Sequence, residues 1–176
     1  DMDGLKSLIS GENIYIIEDA AQGINAKYKE RYLGSIGDIG TYSFHSTKNI
    51  STGEGGLLAL NNPTLLDRAD VVFEKGTDRQ AFINGEIDHY SWKDIGGSYE
   101  MSDHLKMILF EQLEKIEHIQ KKRERVYLRY MNNLHSANIQ LPKIPDYSKS
   151  NYHIFAILLE DFNKRSEVIK SLKNDG

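Results

Sequence analysis

Apolar positions along this chain fall into short, separated runs in the first third and into a helical stripe in the second. Ile14-Tyr15-Ile16-Ile17 is an all-apolar run closed by Glu18-Asp19, the pattern of a buried parallel strand with acids at its carboxyl end. Thr41-Tyr42-Ser43-Phe44 reads as a second short strand. Gly56-Leu57-Leu58-Ala59-Leu60 reads as a third, ended by the turn residues Asn61-Asn62-Pro63. Ahead of these, residues 5–10 read as the end of a helix stopped by Gly11. A further helix is predicted over residues 63–73, with Pro63 at an allowed first-turn position.

Over residues 75–97 the periodicity stops. Gly76, Asn84, Gly85, Gly96 and Gly97 interrupt the segment, and Phe82, Tyr90 and Trp92 are spread through it. Such a stretch is either a functional loop or a surface loop packed by its own aromatics. Ser102 or Asp103 can then cap a long helix. Leu105, Ile108, Leu109, Leu113, Ile116 and Ile119 recur in it at helical spacing, and it continues through Tyr127, Tyr130 and Met131 to fade by Ser136. Within it, Lys121-Lys122-Arg123-Glu124-Arg125 is interrupted by an acid and reads as a solvated face. Pro142 and Pro145 mark a connector. Residues 153–159 read as a strand and residues 165–173 as a helix.

The order strand, strand, helix and strand makes the chain α/β. The last strand and helix are too few for a domain of their own, and a central strand near the start needs partners on both sides. The pattern is that of the middle of a larger protein, and the 176 residues alone are expected to be poorly stable and inactive.

Composition mainly excludes. A net charge of −4 gives no reason to expect a nucleic acid or an anionic membrane as partner. There is no cysteine, hence no disulfide framework and no thiol nucleophile, and a reducing cytoplasm fits. No apolar run approaches the roughly 20 residues that span a bilayer, and the first residues lack the pattern of a signal peptide. The six histidines show no metal-ligand spacing, so no metal is expected.

The chemistry-bearing residues are Asp19 and Lys48. An apolar strand ending in an acid, followed by a small-residue strand leading to a lysine, can hold pyridoxal phosphate. That cofactor needs an amine for its aldehyde and a carboxylate to keep its ring nitrogen protonated, and α/β sheets place both at neighbouring strand ends. Gly53-Glu54-Gly55-Gly56 lacks the spacing of a nucleotide-binding loop, so Glu54 is expected to be structural.

Glu18-Asp19-Ala20-Ala21-Gln22-Gly23, Ser43-Phe44-His45-Ser46-Thr47-Lys48-Asn49 and Gly53-Glu54-Gly55-Gly56 resemble the active-site signature of the sugar-nucleotide aminotransferases, which are fold-type-I pyridoxal 5′-phosphate enzymes. The resemblance is collinear over essentially the whole chain. It implies that residues 1–100 belong to a cofactor-binding large domain with a mixed sheet, residues 101–136 to a connecting helix and residues 137–176 to the start of a small α+β domain. It makes Lys48 the Schiff-base lysine and proton shuttle, and Asp19 the partner of the pyridinium nitrogen. Gln22 becomes a contact of the ring or its phenolic oxygen, and Ser43 a hydroxyl for the cofactor phosphate.

The stretches Lys75-Gly76-Thr77-Asp78-Arg79 and Tyr90-Ser91-Trp92-Lys93-Asp94-Ile95-Gly96-Gly97-Ser98-Tyr99 narrow the resemblance. They are similar to the branch that aminates TDP-4-keto-6-deoxyglucose to TDP-4-amino-4,6-dideoxygalactose in lipopolysaccharide or enterobacterial common antigen biosynthesis. The resemblance implies a cytoplasmic homodimer with shared active sites, taking a nucleotide sugar and glutamate as substrates. Arg79, Trp92 and Ser98 become candidate substrate contacts across the dimer interface. Arg79 is read equally as a member of a structural ion pair. Ser98 departs from the family pattern, in which Asn stands there and Arg two residues later, where this chain has Glu100. The alternatives are an aminotransferase for another nucleotide-linked ketosugar, or a non-catalytic fragment retaining part of the site.

Overall fold

The computed structural model describes residues 1–137 and 139–175. Helix α1 (Met2–Leu8) is capped by Asp1 and leads to strand β1 (Ile17–Asp19). The two-residue strands β2 (Lys27–Tyr28) and β3 (Arg31–Tyr32) follow, and then β4 (Ile39–Ser43) and β5 (Gly56–Leu60). A 3-10 turn, Pro63–Leu65, opens α2 (Leu66–Phe73), with Asn62 accepting from the Thr64 amide as its cap. Next come α3 (Arg79–Ile83), α4 (Asp103–Glu114), α5 (Ile116–Leu134), β6 (Ser148–Lys149) and α6 (Phe162–Asn174).

Two small sheets organise these elements. In the first, β4 lies between β1, which is parallel to it, and β5, which is antiparallel. In the second, β2 pairs antiparallel with both β3 and β6, so the late segment around residue 148 folds back onto the early chain. The pattern gave no sign of this second sheet, because two-residue strands carry no alternation to read. The buried apolar residues among those described are Ala20, Ala26, Tyr28, Ile36, Phe44, Ile50 and Tyr127.

Several expectations shift. The expected strand over residues 14–17 begins only at Ile17, because Ile16 is engaged by Asp38, the residue ahead of β4: its amide donates to the Asp38 carboxylate at 2.8 Å and its carbonyl accepts from the Asp38 amide at 2.8 Å. Nor is it buried. Ile14, Tyr15 and Ile17 stand exposed, since β1 is a sheet edge among the described residues. The second strand starts earlier, at Ile39, and ends at Ser43. The first helix ends at Leu8, short of Ser10. The loop over residues 75–97 contains α3.

The single long helix is two helices that break at Lys115. The break separates two anchorages: Gln112 on α4 is bonded to the backbone of Ser51, and Gln120 on α5 donates to the Ser150 carbonyl at 2.8 Å. Residues 153–159 form no strand. The chain makes only an isolated bridge there, between Leu158 and Gln140. The last helix starts before residue 165, at Phe162, where Asp161 accepts from the Lys164 amide at 2.8 Å.

Two features fix the loop that enters β4 against β1. The buried Glu18 carboxylate accepts from the amides of Gly34, Ile36 and Gly37 at 2.8, 2.5 and 2.6 Å, which ties the preceding loop under the strand end. Gly40 packs so closely on the Gly34 carbonyl that any side chain would collide with backbone. No helix among the described residues is long and apolar enough to cross a membrane.

Candidate active site

Asp19 ends β1 and pairs in register with Thr41 on the parallel strand β4. One of its carboxylate oxygens accepts from the Ala21 amide at 3.1 Å, a short Asx turn that aims the chain toward Gln22. Ser43 is the last residue of β4, and its hydroxyl accepts from the His45 amide at 3.3 Å. Asp19 and Ser43 therefore sit at the carboxyl ends of adjacent parallel strands, where α/β sheets bind ligands.

Lys48 lies in the loop that joins β4 to β5. The loop closes on itself: Phe44 donates to the Gly55 carbonyl at 2.9 Å, Thr52 to Phe44 at 2.9 Å, Ser46 to Gly53 at 3.0 Å and Lys48 to His45 at 2.9 Å. Phe44 and Ile50 pin it to the core at 2% and 1% exposure. Gly55 adopts φ 131° with its α-carbon against Met101, a position that only glycine fits. The glycine run thus shapes the return of this loop, and the Thr52 hydroxyl donates to the Glu54 carbonyl within it.

Asp19 and Gln22 line a cavity of about 680 Å³ that also touches Tyr28, Lys143 and Asn151; Lys48 and Ser43 do not line it. Among the described residues, neither the Asp19 carboxylate nor the half-buried Lys48 ammonium is taken up by an ion pair. A carboxylate and a hydroxyl at adjoining strand ends, with an amine in the loop that follows, are the donor set that pyridoxal phosphate requires.

The remaining candidates gather elsewhere. Arg79 donates to both oxygens of the buried Glu74 at 3.3 Å. Ser98 bridges to Glu74 through its backbone, and Trp92 to Thr77. The three form one frame around Glu74 and Thr77, and no hydrogen bond described joins that frame to Asp19, Gln22 or Lys48. Glu100, at the position where the family pattern has Arg, pairs with Lys106 at 2.8 Å, which holds its carboxyl below the usual range.

Sequence reasoning missed the segment that joins the site loops. The buried Asn151 side chain donates to the carbonyls of Gln22 and Ile24 at 2.7 and 2.9 Å, and Asn49, next to Lys48, donates to the Asn151 carbonyl at 2.8 Å. His153 Nδ1 lies 2.7 Å from Asn49 Oδ1. Burial, then the charges of Arg123 and Lys48, push the His153 imidazole below its ordinary pKa. Tyr152 between them donates to Glu124 at 2.8 Å, and its hydroxyl is raised to about 12, chiefly by burial. The only sequence signal here was the run of hydrogen-bonding residues Ser150-Asn151 before Tyr152-His153.

The whole chain, residues 1–176, matches the DegT/DnrJ/EryC1/StrS aminotransferase family. The chain belongs to that family. Its members depend on pyridoxal 5′-phosphate. Among curated relatives, a UDP-4-amino-4,6-dideoxy-N-acetyl-beta-L-altrosamine transaminase of Campylobacter jejuni is 30% identical over 100% of this chain and 46% of its own length. A GDP-perosamine synthase of Escherichia coli O157:H7 is 31% identical over 96% of this chain and 44% of its own. The solved aminotransferase TlmJ from Streptoalloteichus hindustanus superimposes with a TM-score of 0.88 at 22% identity, over 100% of this chain and 47% of that one, a likeness of fold. The α/β fold is that of these aminotransferases. This family member spans about half the length of the curated relatives it matches.

Proposed function

We propose that the protein to which this chain belongs is a pyridoxal phosphate-dependent aminotransferase acting on a nucleotide-linked 4-keto-6-deoxyhexose, with glutamate as amino donor. The observation that carries this reading is the placement of Asp19 and Ser43 at adjacent parallel strand ends, with Lys48 in the closed loop beyond them and neither charged group in an ion pair among the described residues. In this reading residues 1–100 are part of the cofactor-binding large domain, 101–136 the connecting helical region and 137–176 the beginning of the small domain. The protein works as a cytoplasmic homodimer.

Lys48 supplies the amine that holds the cofactor, Asp19 the carboxylate at its ring nitrogen, Ser43 a hydroxyl for its phosphate and Gln22 a contact to the ring. When bound, the cofactor supplies an electron sink for the carbon that loses its proton. Lys48 Nζ, on a loop pinned at both ends by core residues, carries that proton between the two carbons that exchange the amino group. The Ala21 amide orients the Asp19 carboxylate at the carboxyl end of β1.

The finer reading takes a TDP-linked 4-keto-6-deoxyhexose to TDP-4-amino-4,6-dideoxygalactose. It is supported by the resemblance over residues 75–79 and 90–99, with Arg79, Trp92 and Ser98 as contacts reaching a neighbouring subunit. A second reading, a UDP- or GDP-linked ketosugar, is favoured by the names of the Campylobacter and Escherichia relatives. The test is borohydride reduction of the full-length protein and peptide mapping, then turnover with TDP-, UDP- and GDP-linked 4-keto-6-deoxysugars and glutamate. A pyridoxyl label on Lys48 and turnover of one nucleotide series are expected. A label elsewhere sinks the site, and preference for UDP or GDP selects the second reading.

A further inference from the structure

The two loops of the proposed site make no hydrogen bond to each other among the described residues, yet one turn holds both. Asn151, 5% exposed, donates its side-chain amide to the carbonyls of Gln22 and Ile24, and its Oδ1 accepts from the His153 amide at 3.2 Å. Its own carbonyl receives the Asn49 amide at 2.8 Å. A carbonyl only accepts, so Asn49 must point Nδ2 at Asn151 and hence Oδ1 at His153. His153 must then carry its hydrogen on Nδ1. Burial lowers the pKa of the ring, and in the neutral form Nε2 carries the lone pair.

The turn is held against its own preference. Tyr152 sits at φ 54°, a conformation unfavourable for a bulky residue. It is retained because Gln120 grips the Ser150 carbonyl, Glu124 accepts from the Tyr152 hydroxyl and the Ser150 hydroxyl accepts from the Tyr152 amide. Backbone strain inside a hydrogen-bonded, part-buried turn beside a site is characteristic of positioning.

We propose that Asn49, Asn151 and His153 are positioning residues that fix Lys48 relative to the Asp19–Gln22 turn, through a relay in which His153 donates from Nδ1. The relay accounts for an amide at Asn151, two residues before His153, and at Asn49, next to Lys48: each donates from one atom and accepts at another, which a carboxylate, with acceptors alone, does not do. This inference rests on the cofactor reading of Lys48 and Asp19.

The experiment uses the full-length protein and the variants Asn49→Ala, His153→Ala and His153→Asn. Histidine ring nitrogen shifts are recorded in the cofactor-free protein, and pyridoxal phosphate affinity is measured by absorbance titration alongside thermal melting. Wild type should show the Nδ1–H tautomer at His153. Asn49→Ala, which removes two part-buried hydrogen bonds, and His153→Ala, which removes one of them, should each weaken cofactor binding by at least about tenfold, while the cofactor-free melt moves by only a few degrees. His153→Asn, which keeps a donor near the Nδ1 position, should return most of the affinity. Hydrogen on Nε2 in the wild type overturns the proposal even where a variant fails to fold, and so does unchanged affinity in both alanine variants. A wild type that takes no borohydride label at Lys48 overturns the cofactor reading and this proposal together; a labelled wild type with unshifted variants overturns this proposal alone.

Discussion

Residues 44–55 and residues 74–99 are both irregular and rich in glycine, and they are held in opposite ways. The first segment is bonded to itself along its length and buries Phe44, Ile50 and Thr52. The second is closed at its base. Lys93 and Asp94 donate to the Gly76 carbonyl at 2.7 and 3.1 Å, Lys75 donates to Gly97 at 3.1 Å, and Glu74 and Thr77 are buried there. From that base Trp92 and Ile95 stand 77% and 86% exposed. The difference shows two ways to hold a loop. One spends burial along its length, which suits the covalent role proposed for Lys48. The other uses it on a stem and leaves apolar surface exposed, which suits the recognition role proposed for Arg79, Trp92 and Ser98.

The comparison is broken most severely at its chemical end. Lys48→Ala in the full-length protein is expected to lower turnover by at least about a thousandfold, because amine and proton carrier leave together. Steady-state transamination measures it, and a variant within tenfold of wild type would mean that the closed loop serves something else. Asp19→Asn should keep cofactor binding while turnover falls about a hundredfold, since a neutral amide does not hold the ring-nitrogen proton. Near-normal rates would make Asp19 a strand-end turn residue.

The support beneath β1 comes next. Glu18→Ala leaves three buried amides without their acceptor and should cost about 3 kcal/mol in a urea melt of the full-length protein. A loss below about 1 kcal/mol would show that water replaces the carboxylate.

The base of the second segment should respond to acid while the first does not. Asp78 accepts from the Ser91 amide at 2.6 Å and pairs with Lys93 at 3.0 Å. Those two contacts, the amide first, hold its carboxyl below the ordinary 3.8. A depressed folded value means that the contribution is present above about 3.8 and is lost as pH falls through the lower folded value. Hydrogen exchange should therefore show the Ser91 amide losing protection relative to the Thr52 amide as the pH is taken below 3.8 and through the lower folded value. Equal loss at both would erase the distinction between the segments.

The smallest effect is expected at the exposed end. Trp92→Ala should change stability by no more than about 0.5 kcal/mol, and its consequence should appear in nucleotide-sugar affinity. If affinity and dimerisation are both unchanged, the aromatic surface of this segment is not a recognition surface.

What the sequence determined is what neighbouring residues enforce. Five residues, Gly56-Leu57-Leu58-Ala59-Leu60, between glycines and an Asn-Asn-Pro turn, form β5 with the expected bounds. Pro63 starts a helical segment that ends at Phe73, and the order of an acid at a strand end before a lysine after a small-residue strand was visible in the chain alone. Tertiary structure decided the rest. Ile14 and Tyr15 are as apolar as a strand requires, yet Ile16 is drawn off by Asp38. Residues 153–159 have strand composition but find no neighbour along which to pair, and a strand is a property of two segments. The helix stripe runs unbroken through Lys115, while the break lies between contacts to Ser51 and Ser150. Glu18, Asn49, Asn151 and His153 escaped notice for the same reason. The bond from Asn49 to Asn151 joins positions 102 residues apart, and a hydrogen bond between distant segments leaves no periodicity in either, because its geometry is set only once packing has brought both to one place.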